Sequence, residues 1–193
     1  MADFGKAYKP TMGHEGGYAK DADDLGGETY RGVSRKFNPG WAGWAKIDKA
    51  KRQRGFPASL DRDTTLQADV AAFYKQHYWD KFQGDAIPSQ AIAAELFDTG
   101  VNMGIARAVE FLQRGLNVLN RNEKLYDDLV PDGKFGPKSL IAVRTYLKND
   151  APELLLKILN VLQGMHYIDF MTQSPIQEKY ARGWFKRVEI EKV

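Results

Sequence analysis

Apolar residues recur at helical spacing along most of this chain. In the first segment Phe4, Tyr8 and Met12 share one face, which predicts a helix over 3–14 that the glycine pair at 16–17 ends. Stripes of the same period predict further helices, several of them with a proline or a capping residue at the start. These predicted helices span residues 64–81, 137–148 and 152–171, two segments that meet near Gly104, and a short stretch after Pro175.

Residues 17–63 carry many glycines, prolines and charges but no long period. They predict loops and turns, with a short strand near Arg31–Ser34. We interpret the dense basic run at Lys49–Arg54 as a solvated loop. No long alternating pattern occurs, so the sequence predicts a mainly α protein with a long polar loop after its first helix.

The composition excludes several classes of protein. The 193 residues, 43% hydrophobic and 12% aromatic, suit one domain or one body with two lobes and are not typical of disorder. Cysteine is absent, which excludes disulfides and thiolate chemistry. The net charge of +3 and the pI near 8.9 favour an anionic polymer, a cell wall or a nucleic acid. No nucleic-acid-binding motif supports the second of these.

Targeting signals are also missing from the pattern. The first residues show no basic stretch followed by an apolar run, so we expect no signal peptide. No window approaches the roughly 18 consecutive apolar residues of a membrane span, so we expect no stable membrane association.

Glu15 is the strongest catalytic candidate because it follows the first predicted helix and precedes a glycine pair. The negative end of the helix dipole and partial burial both raise the pKa of a carboxyl group there and keep it protonated. Glycosidic cleavage needs such an acid to protonate the leaving oxygen. Gly16 and Gly17 let the backbone approach a sugar without a side-chain clash. The competing interpretation is a surface glutamate before a helix-ending glycine pair.

A second group must steady the oxocarbenium-like charge or activate a water molecule. For each acid in the following loop the alternative interpretation is a solvated charge. The spacing does not match the twelve-residue calcium loop, so we expect no metal and no cofactor. The candidates for the second group are Asp21, Asp23, Asp24, Glu28, Thr29 and Tyr30.

Other residues of chemical interest lie outside this loop. The sequence has neither the Gly-x-Ser-x-Gly of a serine hydrolase nor a glycine-rich phosphate loop. His77 lies on an apolar stripe, so we expect it in or near the core. Asp98 and Asn102 share one helix face, and we expect a buried polar bridge to a loop near the floor of a cleft. Sugar stacking and core packing are both open for the tryptophans Trp41, Trp44 and Trp79.

An ordered series of motifs spans nearly the whole chain. They are His-Glu-Gly-Gly-Tyr at 14–18, Asp-Leu-Gly-Gly-Glu-Thr at 24–29 with Arg-Gly-Val-Ser at 31–34, Tyr-x-x-x-Tyr-Trp at 74–79, Phe-Asp-Thr-Gly-Val-Asn-Met-Gly at 97–104, Asp-Gly-Lys-Phe-Gly-Pro at 132–137, and Gly-Trp at 183–184 with Arg187. The series resembles glycoside hydrolase family 108, the lysozyme-like N-acetylmuramidases that include phage endolysins and secretion activators. Val33 stands where that family usually has Ile, and Leu25 where Pro is common.

The resemblance implies a lysozyme-like, two-lobed helical fold that cleaves the β-1,4 bond between N-acetylmuramic acid and N-acetylglucosamine without a cofactor. It makes Glu15 the catalytic acid and gives Asp24 and Thr29 places comparable to the Asp and Thr of phage lysozymes. It also implies a catalytic region in residues 1–90 and a peptidoglycan-binding-like region in 91–193, packed as one body. The expected substrate-binding residues are Gly16, Gly17, Tyr18, Tyr30, Asp98 and Asn102.

Two other functions stay open. A lytic transglycosylase would use the same acid and leave an anhydro-muramic end, whereas a non-catalytic wall-binding or secretion-assisting module would bind walls without lysing them. The expected partner is the glycan strand of peptidoglycan. We expect a monomer made in the bacterial cytoplasm that reaches the wall in the periplasm through a holin-like pore or a secretion apparatus.

Overall fold

Helices dominate the protein, as the sequence predicts. The computed structural model describes residues 1–13, 16–20 and 27–188. These residues form eight α-helices and one three-stranded antiparallel sheet, so the mainly α class is confirmed. The helices are α1 Phe4–Met12, α2 Gly43–Ala50, α3 Thr64–His77, α4 Gln90–Met103, α5 Ile105–Leu119, α6 Pro137–Asn149, α7 Pro152–Gln173 and α8 Ala181–Trp184. The strands are β1 Tyr18–Lys20, β2 Glu28–Tyr30 and β3 Val33–Ser34.

The chain packs as two compact units. Residues 8–77 contain the sheet with α2 and α3, and we call them the sheet unit. Residues 1–7 and the chain from residue 78 onward form the helical unit. The predicted division into a catalytic region, 1–90, and a peptidoglycan-binding-like region, 91–193, packed as one body, stays a prediction.

The sheet unit buries apolar residues of its helices and strands. Ile47 of α2, Val33 of β3 and Leu66 of α3 are fully buried. Asp63 caps α3, because its Oδ1 accepts hydrogen bonds from the backbone N–H groups of Thr65 and Leu66, both at 3.0 Å. The capped helix therefore has a fixed start beside the sheet.

Several sequence-based predictions in this unit are wrong. The region 17–63 is not all loop: it holds α2, a 3-10 turn at Ala58–Arg62 and three strands rather than one. The first helix ends at Met12 and not at 14, and the N–H of Gly13 donates to the Pro10 carbonyl. The helix predicted over 64–81 ends at His77, and a separate 3-10 turn follows at Trp79–Phe82. Strands this short bury too few side chains to produce a visible alternation.

The helical unit packs α4, α5 and α7 against each other. Gly104, with φ of +89°, separates α4 from α5, and Pro137 and Pro152 begin α6 and α7 as predicted. The first residues of the chain belong to this unit, because the N–H of Ala2 donates to the Ile87 carbonyl at 3.0 Å. Further 3-10 turns of this unit are Gly84–Ala86, Pro175–Tyr180 and Phe185–Arg187. None of the helices described is long and apolar enough to cross a membrane.

Candidate functional site

A tight hairpin of β2 and β3 positions the residues of the motifs at 24–29 and 31–34 that the structure describes. Arg31 and Gly32 have φ of +44° and +77° and join β2 to β3 as a two-residue turn. Positive φ at both positions is the geometry of a type I′ turn, whose twist matches that of the flanking strands. Tyr74 supports the turn by donating its hydroxyl to the Arg31 carbonyl at 2.8 Å. The turn therefore fixes the register of β2, which carries Thr29.

The register determines which face of the sheet each residue occupies. Tyr30 pairs with Tyr18 and with Val33, whereas Thr29 pairs with Ala19 and with Ser34. Side chains alternate along a strand, so Thr29 lies on the face opposite Tyr30. Thr29 is half-buried, and its hydroxyl makes no hydrogen bond within the described part of the chain.

Tyr30, which we predicted as a substrate contact, is buried in the sheet unit. Its side chain is 1% exposed, and its hydroxyl accepts a hydrogen bond from Gln67 Nε2 at 2.8 Å. It also donates to Asp61 Oδ1 at 3.4 Å. A buried ring with these partners supports the sheet from beneath.

A charged network holds the start of β2, and sequence reasoning missed it. Glu28 is only 10% exposed; its Oε2 lies 3.1 Å from Arg35 Nε, and its Oε1 pairs with Lys51 Nζ. Arg35 also binds Asp48 through two contacts of 2.7 and 3.1 Å. Hydrogen bonds from Arg35 and then Lys51 lower the pKa of Asp48 to about 2. Lys51 was predicted as part of a solvated loop, which is wrong.

Tyr18 joins the same network from β1. Its hydroxyl donates to Glu28 Oε1 at 3.1 Å, and its ring packs edge-on against Phe56 at 4.7 Å. Burial and this hydrogen bond raise the pKa of Tyr18, which keeps the phenol protonated. Nothing in the sequence pairs Glu28 with Arg35, Asp48 or Lys51, because their separations of 7 to 23 positions follow no period.

The predicted acid Glu15 and three candidates for the second group, Asp21, Asp23 and Asp24, lie outside the described residues. The predicted glycine pair is described: Gly16 and Gly17 are exposed, and a Cβ added at either would meet no atom within 4 Å. The carbonyl of Gly17 accepts a hydrogen bond from the Arg31 N–H at 3.2 Å. This bond ties the chain after Glu15 to the hairpin turn.

The tryptophans separate into two groups. Trp44 and Trp79 are core residues, 4% and 0% exposed. Trp41 instead lines an open groove of about 450 Å³ in the sheet unit, together with Phe73 and His77. The prediction that His77 lies in or near the core is wrong: it is exposed at the end of α3, with its ring stacked on Phe73 at 4.3 Å.

Asp98 and Asn102 lie on α4 and reach the C-terminal elements of the helical unit. Arg187 Nη1 donates to Asp98 Oδ1 at 2.7 Å, and the two side chains are 9% and 19% exposed. Tyr167 donates its hydroxyl to Asn102 Oδ1 at 3.0 Å. Burial raises the pKa of Tyr167. The predicted polar bridge is thus present for Asp98, with Arg187 of a 3-10 turn, while Asn102 bonds to a helix.

Aromatic rings surround a small pocket next to Asn102. The pocket measures about 180 Å³ and is also lined by Met103, His166, Tyr167, Phe170 and Trp184. Trp184 stacks between Tyr167 and Tyr180, with centroid distances of 5.2 and 5.7 Å. Burial, followed by Arg107, lowers the pKa of His166 and favours its neutral form. The pocket presents aromatic faces and an amide in one place.

Within residues 1–13, 16–20 and 27–188, no group of three or more His, Asp or Glu side chains is placed to hold a metal ion.

The sequence matches two protein families. The family described as glycosyl hydrolase 108 matches residues 8–104, and the predicted peptidoglycan domain matches residues 107–189. Among solved structures, that of SagA from Brucella abortus is similar, with a TM-score of 0.58 and 25% identity over 96% of this chain and 88% of SagA. This likeness agrees with the predicted lysozyme-like, mainly α fold. No match was found among curated proteins.

Proposed function

The chain belongs to the glycosyl hydrolase 108 family, and from this membership we propose that it cleaves the β-1,4 bond between N-acetylmuramic acid and N-acetylglucosamine in peptidoglycan. The observation that carries the proposal is the pair of matches, a glycosyl hydrolase followed by a peptidoglycan domain. A hydrolase-type role on peptidoglycan follows from that pair. The specific glycosidic bond and the catalytic residues are the part that we propose beyond that role.

We propose Glu15 as the general acid. The support from the described residues is the position of Gly17, two residues later, whose carbonyl is bonded to Arg31. We therefore propose that the acid acts beside the hairpin turn, because Glu15 precedes Gly17 by only two positions in the sequence. A carboxyl group there can protonate the glycosidic oxygen as it leaves, which contributes about 10²- to 10⁴-fold to the rate.

Asp24 is proposed as the second carboxylate, and Thr29 as the hydroxyl that orients a water molecule or a substrate group. The free hydroxyl of Thr29 among the described residues and its fixed register support this role. Glu28 is the less suitable carboxylate because Arg35 and Lys51 already bind it. A carboxyl separation of about 5–5.5 Å would give retention of configuration, and about 6.5–9.5 Å inversion.

The glycine pair and two side chains are proposed as substrate contacts. Gly16 and Gly17 leave open space where a side chain would otherwise project, which suits the close approach of a sugar. Tyr18 adds a half-buried ring beside them. In the helical unit, Asn102 lines a small pocket with aromatic rings, which we propose contact part of one sugar unit. Asp98 acts through Arg187, which it holds in place.

The first experiment measures turbidity loss of purified Gram-negative peptidoglycan with the wild type and with Glu15→Gln. Glu178→Gln, the same change at an exposed acid of the 3-10 turn Pro175–Tyr180, is the matched control. We expect loss with the wild type and the control and at least about a hundredfold slower loss with Glu15→Gln. All three proteins are first shown to be folded by circular dichroism.

Equal loss with Glu15→Gln would place the acid elsewhere. Mass spectrometry of the products separates hydrolysis from lytic transglycosylation, because the anhydro product is lighter by one water. Pelleting with walls and no turbidity loss in any protein would favour the binding-module function. Delivery through a holin-like pore or a secretion apparatus, and the monomeric state, stay predictions.

A further inference from the structure

The groove beside Trp41 is a second place in the sheet unit where a ligand fits. It lies between the chain that precedes α2 and the helix α3, and its volume of about 450 Å³ falls within the roughly 300–1,000 Å³ of small-molecule sites. The side chains that give it its character are Asn38, Trp41, Asp69, Phe73, Gln76 and His77. None of these residues has a role in the chemistry proposed above.

Its aromatic wall is rigid. The Trp41 ring packs edge-on against Trp44 at 5.2 Å and against Phe73 at 6.2 Å. Gly43 lies directly beneath it, because a Cβ added there would come within 2.3 Å of a Trp41 ring carbon. Trp44 is itself fixed by a 2.8 Å hydrogen bond from its Nε1 to the Asn38 carbonyl. A wall that is already ordered loses little conformational entropy when a ligand binds.

Small residues keep the groove open. Gly40 and Ala42 line one side, and Ala72 of α3 lines the other. A Cβ added at Gly40 would meet no atom within 4 Å. The space beside the indole therefore comes from a glycine and two alanines, which have no side chain or only a methyl group.

The rim is polar but nearly neutral. Gln76 is exposed, and its amide makes no hydrogen bond to any residue in the described ranges. The carboxylate of Asp69 is compensated by Lys46, whose Nζ lies 2.6 Å from Oδ2. Amides with both donors and acceptors next to a flat ring suit a ligand with one apolar face and a hydroxyl edge.

We propose that this groove binds a neutral N-acetylhexosamine unit of a glycan strand, with Trp41 as the stacking wall and Gln76 as a hydrogen-bonding partner. A pyranose ring has an axial C–H face that packs on an indole, and its hydroxyl and acetamido groups bond with amides. A sugar that carries a carboxylate, or a charged stem peptide, finds no uncompensated charge here because Lys46 and Asp69 neutralise each other. The identity of the glycan rests on the proposed function.

The test titrates N,N′,N″-triacetylchitotriose into the ¹⁵N-labelled protein and follows the indole N–H signal of Trp41, assigned with Trp41→Phe. Ala72→Gln places a longer side chain in the groove, and Ala68→Gln makes the same change one turn earlier on α3 at an exposed position outside the groove. We expect the Trp41 signal to shift on titration, with affinity at least about tenfold lower for Ala72→Gln and unchanged for Ala68→Gln.

Three outcomes would overturn the proposal: no shift of Trp41 at saturating chitotriose, equal affinities for the two alanine variants, or a shift caused by a stem peptide and not by chitotriose. The result is independent of catalysis, because binding of a soluble oligosaccharide requires no cleavage of peptidoglycan. Binding at Trp41 without turbidity loss would keep the groove and reject the hydrolase. Turbidity loss without binding at Trp41 would do the reverse.

Discussion

The sheet unit and the helical unit are stabilised in different ways. In the sheet unit the strands have two or three residues, and Glu28, Arg35, Asp48 and Lys51 hold them through ion pairs. In the helical unit large rings such as Trp79 pack in a core with no exposed surface. Short strands bury little apolar surface of their own, whereas long helices bury much more. The stability of the two units should therefore respond differently to mutation and to pH.

The largest effect is expected in the aromatic core of the helical unit. Trp79→Ala removes a fully buried indole that packs against Phe4 and Phe97 and donates to Asp85 at 2.7 Å. We expect the free energy of unfolding to fall by about 3–5 kcal/mol, measured by urea denaturation. Val118→Ala, at a 72% exposed position of α5, is the control and should cost less than about 0.5 kcal/mol. Similar costs for both would mean that the rings do not dominate this unit.

The next effect tests the ion pair between Asp98 and Arg187 in the helical unit. Asp98→Asn removes the carboxylate that pairs with Arg187, whose side chain is 9% exposed. We expect a loss of about 3 kcal/mol of unfolding free energy. Asp169→Asn, at an exposed position of α7, should leave stability unchanged. Unchanged stability of Asp98→Asn with a raised KM for peptidoglycan would instead make Asp98 a direct substrate contact.

A smaller effect is expected for the network of the sheet unit. Glu28→Gln removes the partner of both Arg35 and Lys51, and we expect a loss of about 2 kcal/mol by urea denaturation. Asp61→Asn breaks the pair with Arg31, but Asp61 is 56% exposed, so the cost should stay below about 0.5 kcal/mol. Equal costs would show that charge does not hold β2.

The smallest effect is a pH dependence from Asp48. Its pKa is lowered from 3.8 to about 2 in the folded protein, so it contributes stability above about pH 4 that is lost as pH falls toward 2. Solvent screens the half-exposed group, which keeps the contribution below about 1 kcal/mol. The melting temperature of the wild type should exceed that of Asp48→Asn at pH 5, and the difference should shrink at pH 2. A difference that is constant with pH would contradict the linkage.

The helices with local signals could be predicted from the sequence. Pro137, Pro152 and the Asp63 cap act on the residues next to them, so their effect is visible in sequence. Helix α2 was missed because its eight residues bury only Gly43, Trp44 and Ile47, which is too short a stripe to recognise. The ends of two helices were misplaced because the last turn of a helix shows no clear period in the sequence.

The candidate site was predictable only in part. The family motif led to the region around Gly16, Gly17 and Thr29, but not to the partners of Glu28, which depend on tertiary packing. Tyr30 illustrates the limit: a tyrosine in a polar loop suits substrate binding, yet its pairing with Val33 across a tight turn places it in the core. No sequence signal distinguishes Trp41, which lines the groove, from Trp44, which is buried, because the difference arises from tertiary packing.

The distribution of the helical unit along the chain has a consequence for biosynthesis. Residues 1–7 pack with the chain from residue 78 onward, and Asp98 meets Arg187 across 89 positions. On a ribosome that adds about 5–20 residues per second, the contiguous sheet unit can fold as soon as residue 77 has emerged. Residues 1–7 can pack in the helical unit only after the chain from residue 78 onward has been made. Asp98 of α4 can pair with Arg187 only after residue 187 has been added. In nascent chains halted near residue 150, the sheet unit should therefore resist protease while the incomplete helical unit is still cleaved.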